Sequence, residues 1–150
     1  MGRMNDASHS LNSLETAVTD LLRATGLLLR RLRTESNPTE LTWSESMILA
    51  RLDEAGWMTT ADLARREAVK PQSVGAALAV LEEQGLVQRK PHPTDGRQVL
   101  FGLTKDGIAT RQRRTLLKRQ WISAAMAKLD PSERETLIAA AALFKRLAES

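Results

Sequence analysis

Residues 81–107, "LEEQGLVQRKPHPTDGRQVLFGLTKDG", decide the fold of this chain. The stretch opens on the end of a helix, since Gly85 suits a left-handed helix stop. "LVQRK" and "QVLFGLT" then read as two short strands around the turn "PHPTDG". Proline presets the backbone angle of such a turn, and an Asp-Gly pair tolerates its tight bend. A small hairpin therefore projects from a helix-rich chain and carries Arg97 at its tip. "LTKDG" begins another helix at Thr104.

Working back from the hairpin, "VKPQSVGAALAVLEEQG" reads as a helix with Pro71 in its first turn, and Val74, Leu78 and Leu81 form its buried stripe. "TTADLARREAV" is a short helix capped by Thr59 or Thr60, with Leu63 and Ala64 inward. Trp57, Met58 and Thr59 read as extended. "LTWSESMILARLDEAG" opens with the capping box Thr42-x-x-Glu45 and closes at Gly56. Residues 11–33 place Leu11, Leu14, Val18, Leu21, Leu28 and Leu32 on one face of a long helix, which "TESNP" ends. The first ten residues lack an apolar core and read as a disordered polar tail. Beyond the hairpin, the helix from Thr104 runs to Leu129. Asp130-Pro131-Ser132-Glu133 then caps a last helix, which is expected to bury Leu137, Ile138, Ala141, Phe144 and Leu147.

Two helices joined by a tight turn and followed by a hairpin make a winged helix-turn-helix. The expected fold is mainly α with a small β-hairpin wing (α+β). The lobe spans 41–103, and segments 11–35 and 104–150 are expected to be dimerisation helices, since they carry more apolar surface than the lobe can cover and a second copy is the simplest cover. In a helix-turn-helix the second helix enters the major groove and offers its N-terminal residues to base edges. Gln72, Ser73, Gly75 and Ala76 are then the outward positions: Gln72 suits an adenine edge, and Ala76 a thymine methyl. Gly75 costs on the order of 1 kcal/mol in a helix interior. Close approach to DNA and tight packing against another helix both explain it at this stage. The hairpin tip is thin enough for the minor groove, where arginine exploits the negative potential. Asp95 is expected to hold the guanidinium of Arg97 or Arg89 in a fixed direction. Thr60, Arg65, Lys70, Pro71, Arg89, Lys90 and His92 complete the expected DNA-facing set, with His92 as a phosphate neighbour.

The charge pattern agrees. Of a net +4, residues 61–120 hold twelve basic against six acidic residues, a surplus of six, so the rest of the chain is slightly acidic. A basic middle between near-neutral ends suits a polyanion held by one part of the molecule. Arg111, Arg113, Arg114 and Arg119 read as flanking DNA or, more simply, as solvated surface. No cysteine is present, which removes disulfides and thiolate chemistry and fits a reducing cytoplasm. No apolar run is long enough for a membrane span. With only His9 and His92, no metal-ligand spacing, no nucleophile elbow and no phosphate-cradling loop, neither an enzyme nor a cofactor is expected.

These pieces together, "TTADLARR", "KPQSV" and "LEEQGLVQRKPHPTDGRQVLFGLTKDG" with its Asp95-x-Arg97, resemble the MarR family of bacterial transcriptional regulators. The resemblance spans nearly the whole chain and is densest from Leu41 to Gly107. It implies a cytoplasmic homodimer with intertwined terminal helices, a pair of winged helices reading a palindromic double-stranded operator, and repression relieved by a ligand. It also implies that Arg97 inserts in the minor groove and that Asp95 joins a salt bridge within the wing. The chain departs from the family at Gly75-Ala76, where members often carry Thr-Arg, and it lacks the N-terminal cysteine of peroxide-sensing members. A small aromatic or lipophilic effector would lie in a crevice lined by Thr25, Arg31, Trp43 and Met47. The alternative is a winged helix that binds protein rather than DNA, which a flat response to salt would favour.

Overall fold

The computed structural model describes the backbone of residues 3–150 and the side chains from residue 12 onward. The elements run α1 (Arg3–Glu35), α2 (Trp43–Ala55), β1 (Met58–Thr59), α3 (Thr60–Glu67), α4 (Pro71–Glu83), β2 (Val87–Pro91), β3 (Val99–Leu103), α5 (Lys105–Ala127) and α6 (Pro131–Ala148). The chain divides into two compact units, residues 37–119 and the combination of residues 1–36 with 120–150.

Residues 37–119 form a closed winged lobe. The three strands are antiparallel in the order β1-β3-β2, with Val87 opposite Leu103, Pro91 opposite Val99 and Met58 opposite Phe101. Helices α2, α3 and α4 supply Ile48, Leu49, Leu52, Leu63, Val74, Leu78 and Leu81 to the core, each at most 3% exposed. The inward stripe expected for α4 is present, with Ala77 added. Local chemistry sets the helix starts. Thr42 and Glu45 form the reciprocal capping box, their hydrogen bonds 3.2 and 3.0 Å long. Thr59, rather than Thr60, caps α3 by accepting the Asp62 N–H. Gly56 and Gly85 both have the positive φ that favours glycine. Ala68 adopts φ +52° at the end of α3 although it carries a Cβ.

The lobe extends past residue 103 for two reasons. A Cβ on Gly107 would lie 2.0 Å from the Leu86 carbonyl oxygen, so the first turn of α5 rests directly on the strand entry. Further along, Arg114 is 4% exposed and donates to Asn37 Oδ1 and, at 2.9 Å, to Ser46 Oγ. Burial, aided by the Arg111 charge, holds its pKa below the usual guanidinium value. Arg114 is thus an internal tie to the α2 region, not the solvated surface expected for it, while Arg111 reaches Asp53.

In the other unit, α1 begins at Arg3, so the backbone of 3–10, expected as a tail, continues the helix. No proline interrupts "NDASHSLN" to stop it. Met1 and Gly2 lie outside the described residues. The Asp130–Glu133 capping box of α6 forms as expected. Its apolar residues stay uncovered within one chain, as do several on α1. No residue of α6 is buried within one chain, and Ile138 and Leu147 are 60% and 62% exposed. On α1, Leu14 and Leu22 are 60% and 68% exposed. Among the described residues no helix is long and apolar enough to cross a membrane.

Candidate nucleic-acid interface

The candidate surface lies on the winged lobe and is built from the start of α3, the outer face of α4 and the β2–β3 hairpin. Helix α4 begins at Pro71, with Lys70 at its cap position and no side chain capping it. Because Val74, Ala77, Leu78 and Leu81 turn inward, Gln72, Ser73 and Ala76 are left exposed. Gly75 is half-buried by its own helix. A Cβ added there meets no atom within 4 Å, which removes tight helix packing as its explanation.

The wing turn is organised by two side chains acting on backbone. The Thr94 and Asp95 N–H groups both donate to His92 Nδ1, at 3.2 and 3.1 Å. Asp95 Oδ1 in turn accepts the Arg97 N–H at 3.0 Å. His92 N–H donates to the Gln98 carbonyl at 3.2 Å and closes the hairpin. Asp95 therefore fixes Arg97 through its main chain, and the expected guanidinium–carboxylate pair does not form. Among the described residues no carboxylate pairs with Arg97. Its exposed guanidinium borders an open depression with Thr59, Thr60, Ala61 and Gln98, beside the N-terminal turn of α3. Backbone N–H groups at a helix start favour an anion, and a free guanidinium beside them adds to the same field.

Other basic residues of the expected set are already engaged. Arg89 donates two bonds to Glu82, at 2.7 and 2.6 Å, and lies over the Phe101 ring at 5.2 Å. The Arg89 bond holds the Glu82 carboxyl below its ordinary range. Arg89 thus ties the wing to the end of α4 and is not the partner of Asp95. Arg65 pairs with Asp62, whose carboxyl is held low chiefly by that bond and also by the Thr59 hydroxyl. Lys90 sits 4.1 Å from the centre of the Trp57 ring. Trp57 itself packs on Gly102, where a Cβ would fall 2.7 Å from the indole. These pairs are mostly exposed, so Arg65, Arg89 and Lys90 keep N–H groups on the surface.

The residues named for an effector divide. Trp43 and Met47, on α2, line a small pocket with Ile48, Val69, Ser73 and Val74, directly behind the first turn of α4. Thr25 and Arg31 belong to α1 in the other unit, where Arg31 pairs with Glu35 at 2.6 Å and lies 5.9 Å from the Trp121 ring centre.

Sequence reasoning missed His92 as the lock of the turn, Glu82 as the partner of Arg89, and Trp57 as the seat of Lys90. The first was legible: a histidine two and three residues before Thr94 and Asp95 is placed as an Asx side chain is when it accepts backbone N–H groups. The other two join residues on different elements, and no local pattern announces them. Among the described residues no cluster of His, Asp or Glu is arranged to hold a metal ion.

Comparison with known proteins agrees with this geometry. The MarR family matches over residues 41–99. An uncharacterized HTH-type transcriptional regulator of Mycobacterium bovis is 34% identical over 139 residues, covering 93% of this chain and 97% of its own. A transcriptional regulator protein from Pseudomonas aeruginosa is 30% identical and aligns with a TM-score of 0.84, over 93% of this chain and 98% of that one. A mutant of S. aureus MepR bound to an oligodeoxyribonucleotide shares the fold, with a TM-score of 0.69 at 21% identity, covering 88% and 96%.

Proposed function

The chain belongs to the MarR family, a transcriptional regulator with a DNA-binding fold and not an enzyme, and from that premise we propose that it acts as a homodimer that reads a palindromic double-stranded operator and represses from it. The observation that carries this reading is the free guanidinium of Arg97, held out on a turn locked by His92 and Asp95. Each copy lays the start of α4 in a major groove, with Gln72, Ser73, Gly75 and Ala76 toward the bases. Arg97 enters the neighbouring minor groove. Thr60, Arg65, Lys70, Pro71, Arg89, Lys90 and His92 border the backbone on either side.

Dimerisation is supported by apolar side chains that one chain leaves in water. Leu14, Val18, Leu21 and Leu22 on α1 and Leu137, Ile138, Phe144 and Leu147 on α6 are all between 39% and 68% exposed. A second copy is the simplest cover for faces of this size. Two-fold symmetry then sets the half-sites about one duplex turn apart, roughly 34 Å.

Relief by a small aromatic or lipophilic effector is the finer part of the proposal. Trp43 and Met47 lie behind Ser73 and Val74, so a ligand lodged against them displaces the first turn of α4. Aromatic compounds that release the protein from DNA should quench Trp43 fluorescence over the same concentration range.

The decisive test of DNA reading is a titration of wild type and Arg97→Ala against duplex DNA at several salt concentrations. The wild-type binding constant should fall steeply as salt rises, through counterion release. Arg97→Ala should bind about tenfold or more weakly with unchanged folding. Binding that ignores both salt and Arg97 would point instead to a winged helix serving protein contacts.

A further inference from the structure

We infer that Gly75 is a specificity-determining position, kept bare so that α4 can close on a thymine methyl while Gln72 reads an adenine within a base pair or two. The inference rests on the DNA-reading function proposed above and adds what kind of half-site is read. Glycine is the poorest residue for a helix interior after proline, so its place five residues into α4 requires a cause. The usual causes are absent. Its φ is not positive, unlike those of Gly56 and Gly85. It does not end the helix, which continues to Glu83. Beyond the backbone of its own helix and its two chain neighbours, an added Cβ would meet no atom of the chain within 4 Å, whereas the same addition collides with Trp57 at Gly102 and with Leu86 at Gly107. What Gly75 leaves room for is therefore outside the chain.

Its position says what that is. Gly75 flanks the outward face of α4, in the N-terminal half of the helix that faces base edges in this fold. One turn earlier Gln72 is exposed and, among the described residues, makes no side-chain hydrogen bond. Its amide carries the donor and acceptor that match the N6/N7 edge of adenine. One residue later the exposed Ala76 offers only a methyl group. A bare Cα beside a methyl forms an apolar surface with no polar group, and thymine is the base whose major-groove edge carries an apolar C5-methyl. Gln72 and Ala76 stand a little over one helical turn apart, roughly 6 Å along the axis, a spacing that covers neighbouring base pairs. Gly75→Ala would place a methyl where the thymine methyl belongs.

The test uses the full chain and the duplex that it enriches from random sequence. Gly75→Ala should raise the melting temperature by roughly 3 °C, since alanine favours the helix and meets nothing. The same variant should bind the enriched duplex about tenfold more weakly, a larger loss than it shows on mixed-sequence DNA, which phosphate contacts hold. Replacing thymine by uracil in the half-site should weaken wild type by a similar factor and affect Gly75→Ala little. A lowered melting temperature would overturn the inference by exposing a packing role, as would equal affinity of the two proteins or indifference to uracil. If wild type enriches no sequence, the DNA-reading function falls and takes the inference with it. If it enriches one that both proteins bind alike, the inference alone falls.

Discussion

The winged lobe and helix α6 spend their apolar residues in opposite ways. In the lobe, Leu49, Leu63 and Leu81 lose all contact with water. In α6, Leu137, Ile138, Leu143, Phe144 and Leu147 keep between 39% and 62% of theirs. Both segments have the periodicity of helices that bury one face. The contrast is between a module that closes its own core and a helix whose apolar face one chain leaves in water. Stability of the first belongs to the chain, and in the proposed dimer stability of the second depends on protein concentration. The polar site follows the same division. Arg89, Lys90 and Arg65 are engaged within the lobe by Glu82, Trp57 and Asp62, whereas among the described residues no carboxylate pairs with Arg97.

Substitutions sharpen this comparison, the strongest in the lobe core. Leu81→Ala removes a side chain with no exposure and should cost about 3 kcal/mol in urea unfolding, at every protein concentration. Gly107→Ala should cost a similar amount, about 3 kcal/mol, by forcing the first turn of α5 off the Leu86 carbonyl. Leu22→Ala lies on the other side of the comparison. At 68% exposure it should alter a lone chain by no more than about 0.5 kcal/mol, yet it should weaken self-association in sedimentation equilibrium. If Leu22→Ala left association unchanged, α1 would not be the covered face.

In the wing, His92→Ala removes the acceptor of two backbone N–H groups at the surface. It should lower stability by about 1 kcal/mol and weaken DNA binding further than that loss explains, because Arg97 is no longer aimed. Hydrogen exchange at the Thr94 and Asp95 amides would report the loosening directly.

The smallest expected effect is a pH dependence from Glu82. Its folded pKa is depressed by the Arg89 bond below the ordinary 4.5. The pair therefore contributes fully above that ordinary value and loses its contribution as pH falls through the folded value. Wild type should melt slightly above Glu82→Gln at neutral pH, and the gap should close as the pH is taken down through that depressed value. A gap that widened in acid would contradict the assignment.

The sequence made the lobe legible because its signals are local. Thr42 with Glu45, Pro71 and Gly85 each act within one helical turn, and each element begins or ends where they stand; Asp130 with Glu133 does the same for α6 in the other unit. The tip of the wing was legible in the same way. The direction of Asp95 was not. A carboxylate two residues from an arginine can take either its guanidinium or its N–H, and the turn held by His92 selects the second. The guanidinium of Arg89 goes to Glu82, seven residues earlier and on another element. The burial of Arg114 was equally hidden, because Asn37 and Ser46 lie 77 and 68 residues away. What covers α6 was hidden for a different reason. Periodicity says that a face will be covered and is silent on which chain covers it.

The central claim is that two copies present their α4 helices and Arg97 wings to one side of a duplex. Random-sequence DNA selection with the purified protein, followed by the mass of the complex on the enriched duplex, tests it most directly. The prediction is a palindrome with half-site centres roughly 34 Å apart and two chains bound per duplex. A single asymmetric site holding one chain would contradict it.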